Sequence, residues 1–213
     1  MADGIEVVRG KRIAIMFEAR KCIHSRACVL TRPDVFVPNA EGEWIHPDAA
    51  SSDAVARIAH ECPSGAIRYE RVDGGEMEHE PIVNLIRLRE NGPLAVNADI
   101  VLDGNRVGFR ATLCRCGASK NKPYCDTSHI ASEFKATGEP PTKESSPLAA
   151  RGGVLNISSQ TDGPLLVEGN VEFVSGTGRT TNRTTKASLC RCGHSANKPY
   201  CDGTHKAIRF KSD

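Results

Sequence analysis

The chain has few aromatic residues, no long apolar run and almost no net charge. Aromatic residues make up 5% and apolar residues 39% of its 213 residues, so each domain can build only a thin core and needs a further staple such as bound metal. The net charge of +2 argues against a nucleic-acid interface and a polybasic membrane anchor. No apolar stretch approaches a membrane span, and the first residues lack the layout of a secretory signal. We therefore expect a cytoplasmic protein.

Cysteine is the residue type that stands out against this background. The nine cysteines are odd in number and cluster at short spacings, unlike a disulfide framework. Six of them lie in two copies of one pattern, in which C-x-C is followed after eight residues by C-x3-H. The candidate metal ligands are Cys114, Cys116, Cys125 and His129 in the first copy, and Cys190, Cys192, Cys201 and His205 in the second. Because an accidental match would have to occur twice, metal binding is the first hypothesis.

The ligand types leave two metals in competition. Thiolates suit iron–sulfur clusters and zinc, and imidazole is compatible with both. The two thiolates of C-x-C can hold one iron, and C-x3-H can hold a second iron if its last turn is helical. We expect Asp126 and Asp202 to be the N-caps of those turns. Zinc fingers usually space their ligands as C-x2-C or wider, so the C-x-C spacing favours iron while zinc remains open.

The metal pattern belongs to a larger internal repeat. Each copy follows a Gly-Pro-Leu turn, at Gly92 and at Gly163, and then alternating apolar residues that predict short strands. The second copy has a longer excursion at 175–185, which predicts an extended hairpin tip or loop. Residues 135–147, rich in Pro, Ser and charge, predict a partly extended linker, and residues 72–80 predict another. These boundaries give three domains, at 1–71, 81–138 and 153–213.

The repeated pattern resembles a known family. It reads C-x-C-x2-S-x3-P-x-C-D, ending in Thr-Ser-His129 in the first copy and Gly-Thr-His205 in the second. This is similar to the CDGSH iron–sulfur proteins of the mitoNEET type, in which three Cys and one His hold a [2Fe-2S] cluster. The resemblance implies that each set of four candidate ligands holds one such cluster. Thr127 departs from the glycine that is usual in the family, but all ligands are present.

The resemblance also implies an arrangement of the two repeats. Members with one motif form homodimers that exchange strands, so two motifs in one chain imply an internal pseudo-twofold pair within a monomer. The alternative is two units that do not pack together and are joined only by the linker.

Three further cysteines lie near the N-terminus and suggest another cluster. Cys22 and Cys28 frame C-x-H-S-x2-C, and Cys62 is followed by Pro-Ser-Gly-Ala. This resembles the divergent single-cluster ferredoxins, which implies a [4Fe-4S] cluster. The chain itself supplies three thiolates, which suffice for [3Fe-4S]. A fourth iron would need His24, Ser25, water or an outside ligand.

The N-terminal segment itself predicts an α+β domain. Apolar residues at 5–8 and 13–17 flank Arg9-Gly10-Lys11 and predict a hairpin. Residues 52–59 predict a helix capped by Ser51 or Ser52, and residues 66–69 predict a final strand. We expect an overall α+β protein, with a ferredoxin-like domain followed by two small β-rich CDGSH units packed as an intrachain pseudo-dimer.

Three functions are compatible with these sites. The sequence has no Ser-His-Asp-like set, no phosphate-binding loop and no paired carboxylates, so we expect a non-enzymatic electron carrier that meets redox partner proteins. A neutral histidine ligand raises a cluster's potential, so the N-terminal cluster, if all its ligands are cysteines, is expected to have a lower potential than the repeated pair. Transfer of clusters to apo iron–sulfur acceptors, or redox sensing, is the alternative. A zinc-stabilised interaction module is the third hypothesis.

Overall fold

The N-terminal hairpin forms where the alternating apolar residues predict it. The computed structural model describes residues 4–212. Strand β1 (Ile5–Arg9) pairs antiparallel with β2 (Ile13–Glu18), and β2 pairs antiparallel with β3 (Ile67–Arg71). The hairpin and the final strand are thus confirmed, and that strand continues two residues beyond the predicted end at Tyr69.

Two helices complete the N-terminal part. Helix α1 (Ala27–Thr31) is short and carries Cys28, whereas α2 (Ser52–Glu61) buries Val55, Ile58 and Ala59 in the core. Those apolar residues recur three and four positions apart, which is the spacing of one helix face. The Ser51 hydroxyl accepts the Ala54 N–H at 3.3 Å, so the predicted helix and its cap are confirmed. Two 3-10 turns lie at Ala19–Lys21 and Pro47–Ala49.

The two repeats each contribute three strands and one short helix. The first repeat has β4 (Leu85–Leu88), β5 (Leu94–Leu102), β6 (Asn105–Leu113) and α3 (Ser128–Ala131). The second has β7 (Val154–Ser159), β8 (Leu165–Val174), β9 (Thr180–Leu189) and α4 (Thr204–Ala207). All six strands join one sheet, ordered β4-β5-β7-β8-β9, with β6 paired to β5.

The first strand of each repeat is shared with the other repeat. Strand β4 is antiparallel to β5 of its own repeat and parallel to the end of β8, with Ile86 opposite Phe173. Strand β7 is antiparallel to β8 and parallel to the end of β5, with Ile157 opposite Leu102. These pairs are fully buried and belong to one apolar core that both repeats build. Burial of apolar surface therefore fixes the two repeats to each other.

The chain divides into two compact units, Met1–His79 and Glu80–Asp213, and both repeats lie in the second. The finer division at 1–71, 81–138 and 153–213 stays a prediction. Residues 135–147 have no helix or strand, as expected of a linker, yet they are fastened along β9: Lys143 N–H donates to Thr181 O at 2.8 Å. In the predicted excursion at 175–185, only 175–179 lie outside the strands, because β9 begins at Thr180.

Candidate metal centres

Each motif begins where a hairpin ends. Strand β6 runs directly into Cys114, and the second half of the motif folds back beside it. The Cys114 N–H donates to Pro123 O at 2.8 Å, and the Cys125 N–H donates to Thr112 O at 2.9 Å. The second motif repeats both bonds at the same two lengths, from Cys190 to Pro199 and from Cys201 to Ser188. A rigid β-hairpin thus brings the C-x-C and C-x3-H segments side by side.

The four candidate ligand side chains of the first motif form two close pairs. Cys114 Sγ lies 3.6 Å from Cys116 Sγ, and Cys125 Sγ lies 3.5 Å from His129 Nδ1. Two thiolates bound to one tetrahedral ion at bonds of about 2.3 Å would lie about 3.7 Å apart. Each pair therefore has the separation of two ligands on one metal ion.

The second motif has the same two pairs. Cys190 Sγ lies 3.8 Å from Cys192 Sγ, and Cys201 Sγ lies 3.3 Å from His205 Nδ1. In the part of the chain that the structure describes, residues 4–212, no three His, Cys, Asp or Glu side chains are grouped as ligands of one ion. The arrangement in both motifs is thus two pairs.

Short helices α3 and α4 place the histidines, but their caps differ from the expectation. The N-cap residues are Thr127 and Gly203, so the prediction that Asp126 and Asp202 hold those positions is wrong. Both carboxylates lie one residue earlier and still accept the first helical N–H at 3.0 Å. The reason is that the residue after the aspartate adopts the left-handed backbone that begins the helix. The aspartate side chain reaches past that residue to the first helical N–H.

A serine and an aspartate brace the loop between the two segments. Ser119 Oγ donates to Tyr124 O at 2.7 Å and accepts the Asn121 N–H at 3.0 Å, while the Asp126 carboxylate accepts the Lys120 N–H at 2.8 Å. The same three bonds recur in the second motif through Ser195 and Asp202. The sequence alone did not predict this role for the two serines. Their repetition at the same motif position was the signal that could have indicated it.

Backbone N–H groups point at the sulfur atoms. Cys116 Sγ accepts the Ala118 N–H, Cys125 Sγ accepts the Thr127 N–H, and Cys201 Sγ accepts the Gly203 N–H, each at 3.4 Å. Such donors stabilise negative charge on a ligating sulfur and are one of the protein's means of adjusting a cluster's potential.

Burial shifts the acid–base equilibria of the first ligand set. It raises the pKa of Cys125 to about 11 and lowers the pKa of His129. The hydrogen bond between the two C-x-C thiols lowers the pKa of Cys114 to about 6 and raises that of Cys116. The imidazole is therefore kept neutral, as a ligand must be, whereas a bound cation has to displace the protons of Cys116 and Cys125, whose pKa values are raised.

A buried arginine stands between the two cysteines of each C-x-C. Arg115 is 1% exposed and donates to four backbone carbonyls, with Nε 3.0 Å from Gly92 O. Arg191 is 3% exposed and donates to two, with Nε 3.0 Å from Gly163 O. Burial lowers the pKa of Arg115 to about 10, and the charge of Cys190 and Glu90 opposes this. Sequence reasoning did not single out either arginine, because its acceptors lie far away in the chain.

Thr127 holds a backbone conformation that suits glycine. Its φ is +72°, and Gly203 occupies the equivalent position with φ +89°. A β-branched residue in this region costs of order 1–2 kcal/mol, and the Thr127 side chain makes no capping bond that would offset it. Thr127→Gly is therefore expected to stabilise the C-terminal unit by about 1 kcal/mol in urea unfolding. Thr127→Ala is the control, since it keeps a Cβ at positive φ; equal stability of the two variants would contradict this explanation.

The N-terminal cysteines are also brought together. Cys62 is buried and Cys22 and Cys28 are half-buried against the same core. Burial raises the pKa of Cys22 and of Cys28, and the charge of Cys62 raises both further. His24 is exposed, and its Nδ1 lies 4.0 Å from Cys22 Sγ, whose sulfur accepts the His24 N–H at 3.4 Å. Ser25 is exposed as well.

Comparison with known proteins agrees with this geometry. The family described as the iron-binding zinc finger of CDGSH type matches residues 91–130 and 162–206. CDGSH iron-sulfur domain-containing protein 1 of Rattus norvegicus is 32% identical over 88 residues, which are 41% of this chain and 71% of that protein. The chain belongs to the CDGSH iron–sulfur family. The Mus musculus protein of the same name matches equally well.

The N-terminal unit of this CDGSH protein has its own match. Residues 8–72 match the family described as divergent 4Fe-4S mono-cluster. The protein YjdI of Escherichia coli strain K12, described as uncharacterized, is 32% identical over 66 residues, which are 31% of this chain and 86% of that protein. The two families together make this an iron–sulfur protein. Within residues 4–212, no helix combines the length and apolar character that crossing a bilayer requires.

Proposed function

We propose that this CDGSH protein is a non-enzymatic electron carrier with three clusters. Each repeat would hold a [2Fe-2S] cluster through three Cys and one His, and Cys22, Cys28 and Cys62 would hold a [3Fe-4S] or [4Fe-4S] cluster. The observation that carries the proposal is the division of each repeated ligand set into two pairs at one-ion separations of 3.6 and 3.5 Å, and of 3.8 and 3.3 Å. Two irons need two such pairs.

The residues around each pair suit electron transfer. A bound cluster supplies one-electron redox chemistry. The first cysteine of each motif is buried, whereas His129 and His205 are half-buried and would offer an edge that a partner can reach. The hairpin, the serine and the aspartate hold both ligand pairs at fixed positions, which limits the rearrangement that a change of charge would cause.

The shared strands support the pseudo-twofold arrangement as part of this proposal. The pairing of Ile86 with Phe173 has its counterpart in the pairing of Leu102 with Ile157, and each joins the first strand of one repeat to the second strand of the other. A single chain would thereby supply what two chains supply in a dimer. We therefore propose that the protein works as a monomer.

For the N-terminal cluster we propose three thiolate ligands, with His24 as the fourth ligand if a fourth iron is present. His24 lies two residues after Cys22 and is exposed, with its Nδ1 4.0 Å from Cys22 Sγ, so it would have to turn away from that sulfur to reach a separate iron. Imidazole is an established ligand for iron in iron–sulfur clusters.

The first test is the metal and sulfide content of the full-length protein purified without oxygen. We expect a coloured protein with about seven or eight irons per chain, four of them in the two repeats, and nearly equal sulfide. Cys28→Ser is expected to leave about four irons, because it removes only the N-terminal cluster. Electron paramagnetic resonance would separate [3Fe-4S] from [4Fe-4S]. A colourless protein with zinc and no iron would overturn the proposal in favour of a zinc-stabilised interaction module.

Cluster transfer or redox sensing is the second candidate function, and the half-buried position of both histidines favours it. An accessible ligand can be protonated or displaced when a cluster is handed on. Repeated cycles of reduction and reoxidation without loss of iron would support electron carriage. Release of clusters to an apo-ferredoxin at a comparable rate would support transfer instead.

A further inference from the structure

The backbones of the two C-x-C loops are in direct contact. Gly117 and Gly193, which follow each C-x-C, both have left-handed backbones, with φ of +83° and +82°. A Cβ at Gly117 would lie 2.5 Å from Cys192 O, and a Cβ at Gly193 would lie 2.2 Å from Cys116 O. Each glycine therefore packs directly against the backbone carbonyl of a candidate ligand in the other repeat, which leaves no room for a side chain at the glycine.

This contact is reciprocal and is anchored on both sides. The loops leave β6 and β9, which end at Leu113 and Leu189 in the shared core. They are then fixed by the backbone bonds that join each C-x-C to its own C-x3-H segment.

We propose that the two C-x-C loops form one coupled element, in which Gly193 is a positioning residue for Cys116 and Gly117 is a positioning residue for Cys192. A change in either C-x-C loop would consequently disturb both metal sites, whereas a change elsewhere in one motif would disturb that site alone. This inference rests on the proposed function, because it takes the two cysteines as ligands. It goes further by making each metal site depend on a residue of the other repeat.

The physical reason is the stiffness of the contact. Overlap at 2.2 Å with a carbonyl oxygen has to be relieved by movement of backbone, since no flexible side chain is involved. Ligands must be held within about 0.5 Å of their working positions. A methyl group added at Gly193 would therefore move Cys116, although these residues belong to different motifs.

The chain offers a matched control for this effect. Gly203 lies in the second motif, like Gly193, and has a similar left-handed φ of +89°, but a Cβ there meets no atom within 4 Å. Gly193→Ala and Gly203→Ala thus place a Cβ on similar left-handed backbones, and only Gly193→Ala intrudes on the first motif.

The experiment compares both variants of the full chain by hydrogen exchange and by iron release to a chelator. We expect Gly193→Ala to speed exchange in peptides covering 114–121 at least threefold, and Gly203→Ala to leave them unchanged. Iron from both repeats should leave Gly193→Ala in one fast phase. In Gly203→Ala only about half of that iron should leave faster. Iron released from the N-terminal cluster is expected to contribute equally in both variants.

Either of two results would overturn the coupling: unchanged exchange at 114–121 in Gly193→Ala, or a fast phase limited to half of the iron of the repeats. Gly117→Ala repeats the test in the opposite direction, with exchange in peptides covering 190–197 as the readout, and serves if Gly193→Ala does not fold. Hydrogen exchange needs no metal. A protein purified without iron would therefore contradict the proposed function, while hydrogen exchange would still test the coupling of the two loops.

Discussion

Arg115→Met is expected to destabilise the C-terminal unit by about 3 kcal/mol, the largest loss among the substitutions considered that spare the ligands. The guanidinium donates to carbonyls of two separate segments: Gly92 and Arg89 before β5, and Ala136 and Thr137 after α3. Methionine fills similar volume but donates no hydrogen bond. The carbonyls of Arg89 and Ala136 each keep a backbone N–H donor, so the loss falls mainly on the other two.

Arg191→Met is the matched variant, and its cost should be about half, because within the described residues 4–212 Arg191 donates to two carbonyls, those of Gly163 and Gln160. Urea unfolding would be followed by circular dichroism and by visible absorbance. The single tryptophan, Trp44, lies in the N-terminal unit, so its fluorescence reports whether that unit unfolds unchanged. Equal midpoints for Arg115→Met and wild type would show that the carbonyls find other donors.

His129→Cys is expected to slow the release of iron from the first motif in acid about tenfold at pH 5. A histidine ligand must be unprotonated, so protons compete with iron as the pH falls below the ordinary histidine pKa of about 6.5. Burial lowers the pKa of His129, which moves the onset of release to lower pH. A thiolate bound to iron resists protonation better, so the variant should keep its cluster where wild type loses it.

The lowered pKa of His129 also makes the stability of the metal-free protein depend on pH. Because the folded state has the lower His129 pKa, the unfolded chain binds more protons near pH 6, and the stability of the folded state decreases as the pH falls through that window. Release would be followed by visible absorbance from pH 7 to pH 4. His60→Cys in the N-terminal unit is the control for adding a thiol away from the motifs. Identical acid release in wild type and His129→Cys would count against histidine ligation.

Much of the site was predictable because the ligands of each motif are close in sequence. The spacing C-x-C and C-x3-H determines which side chains pair, and the structure adds only the hairpin that sets the pairs side by side. The helix after Ser51 and the hairpin around Gly10 were also predictable, since capping, turn residues and apolar periodicity act within a few residues. The N-caps of α3 and α4 were misplaced by one residue: Gly203 was an available signal for the left-handed cap of α4, whereas Thr127 gives no such signal for α3.

The sequence by itself determined the ligand types, their pairing and the existence of two equivalent repeats. Only the tertiary structure decided that β4 and β7 are shared between the repeats, that Arg115 joins two distant segments, and that Gly117 and Gly193 lie against ligands of the opposite motif. The physical reason is separation along the chain. Local patterns fix local conformation, whereas contacts between residues more than twenty positions apart arise only when burial of a common apolar core brings them together.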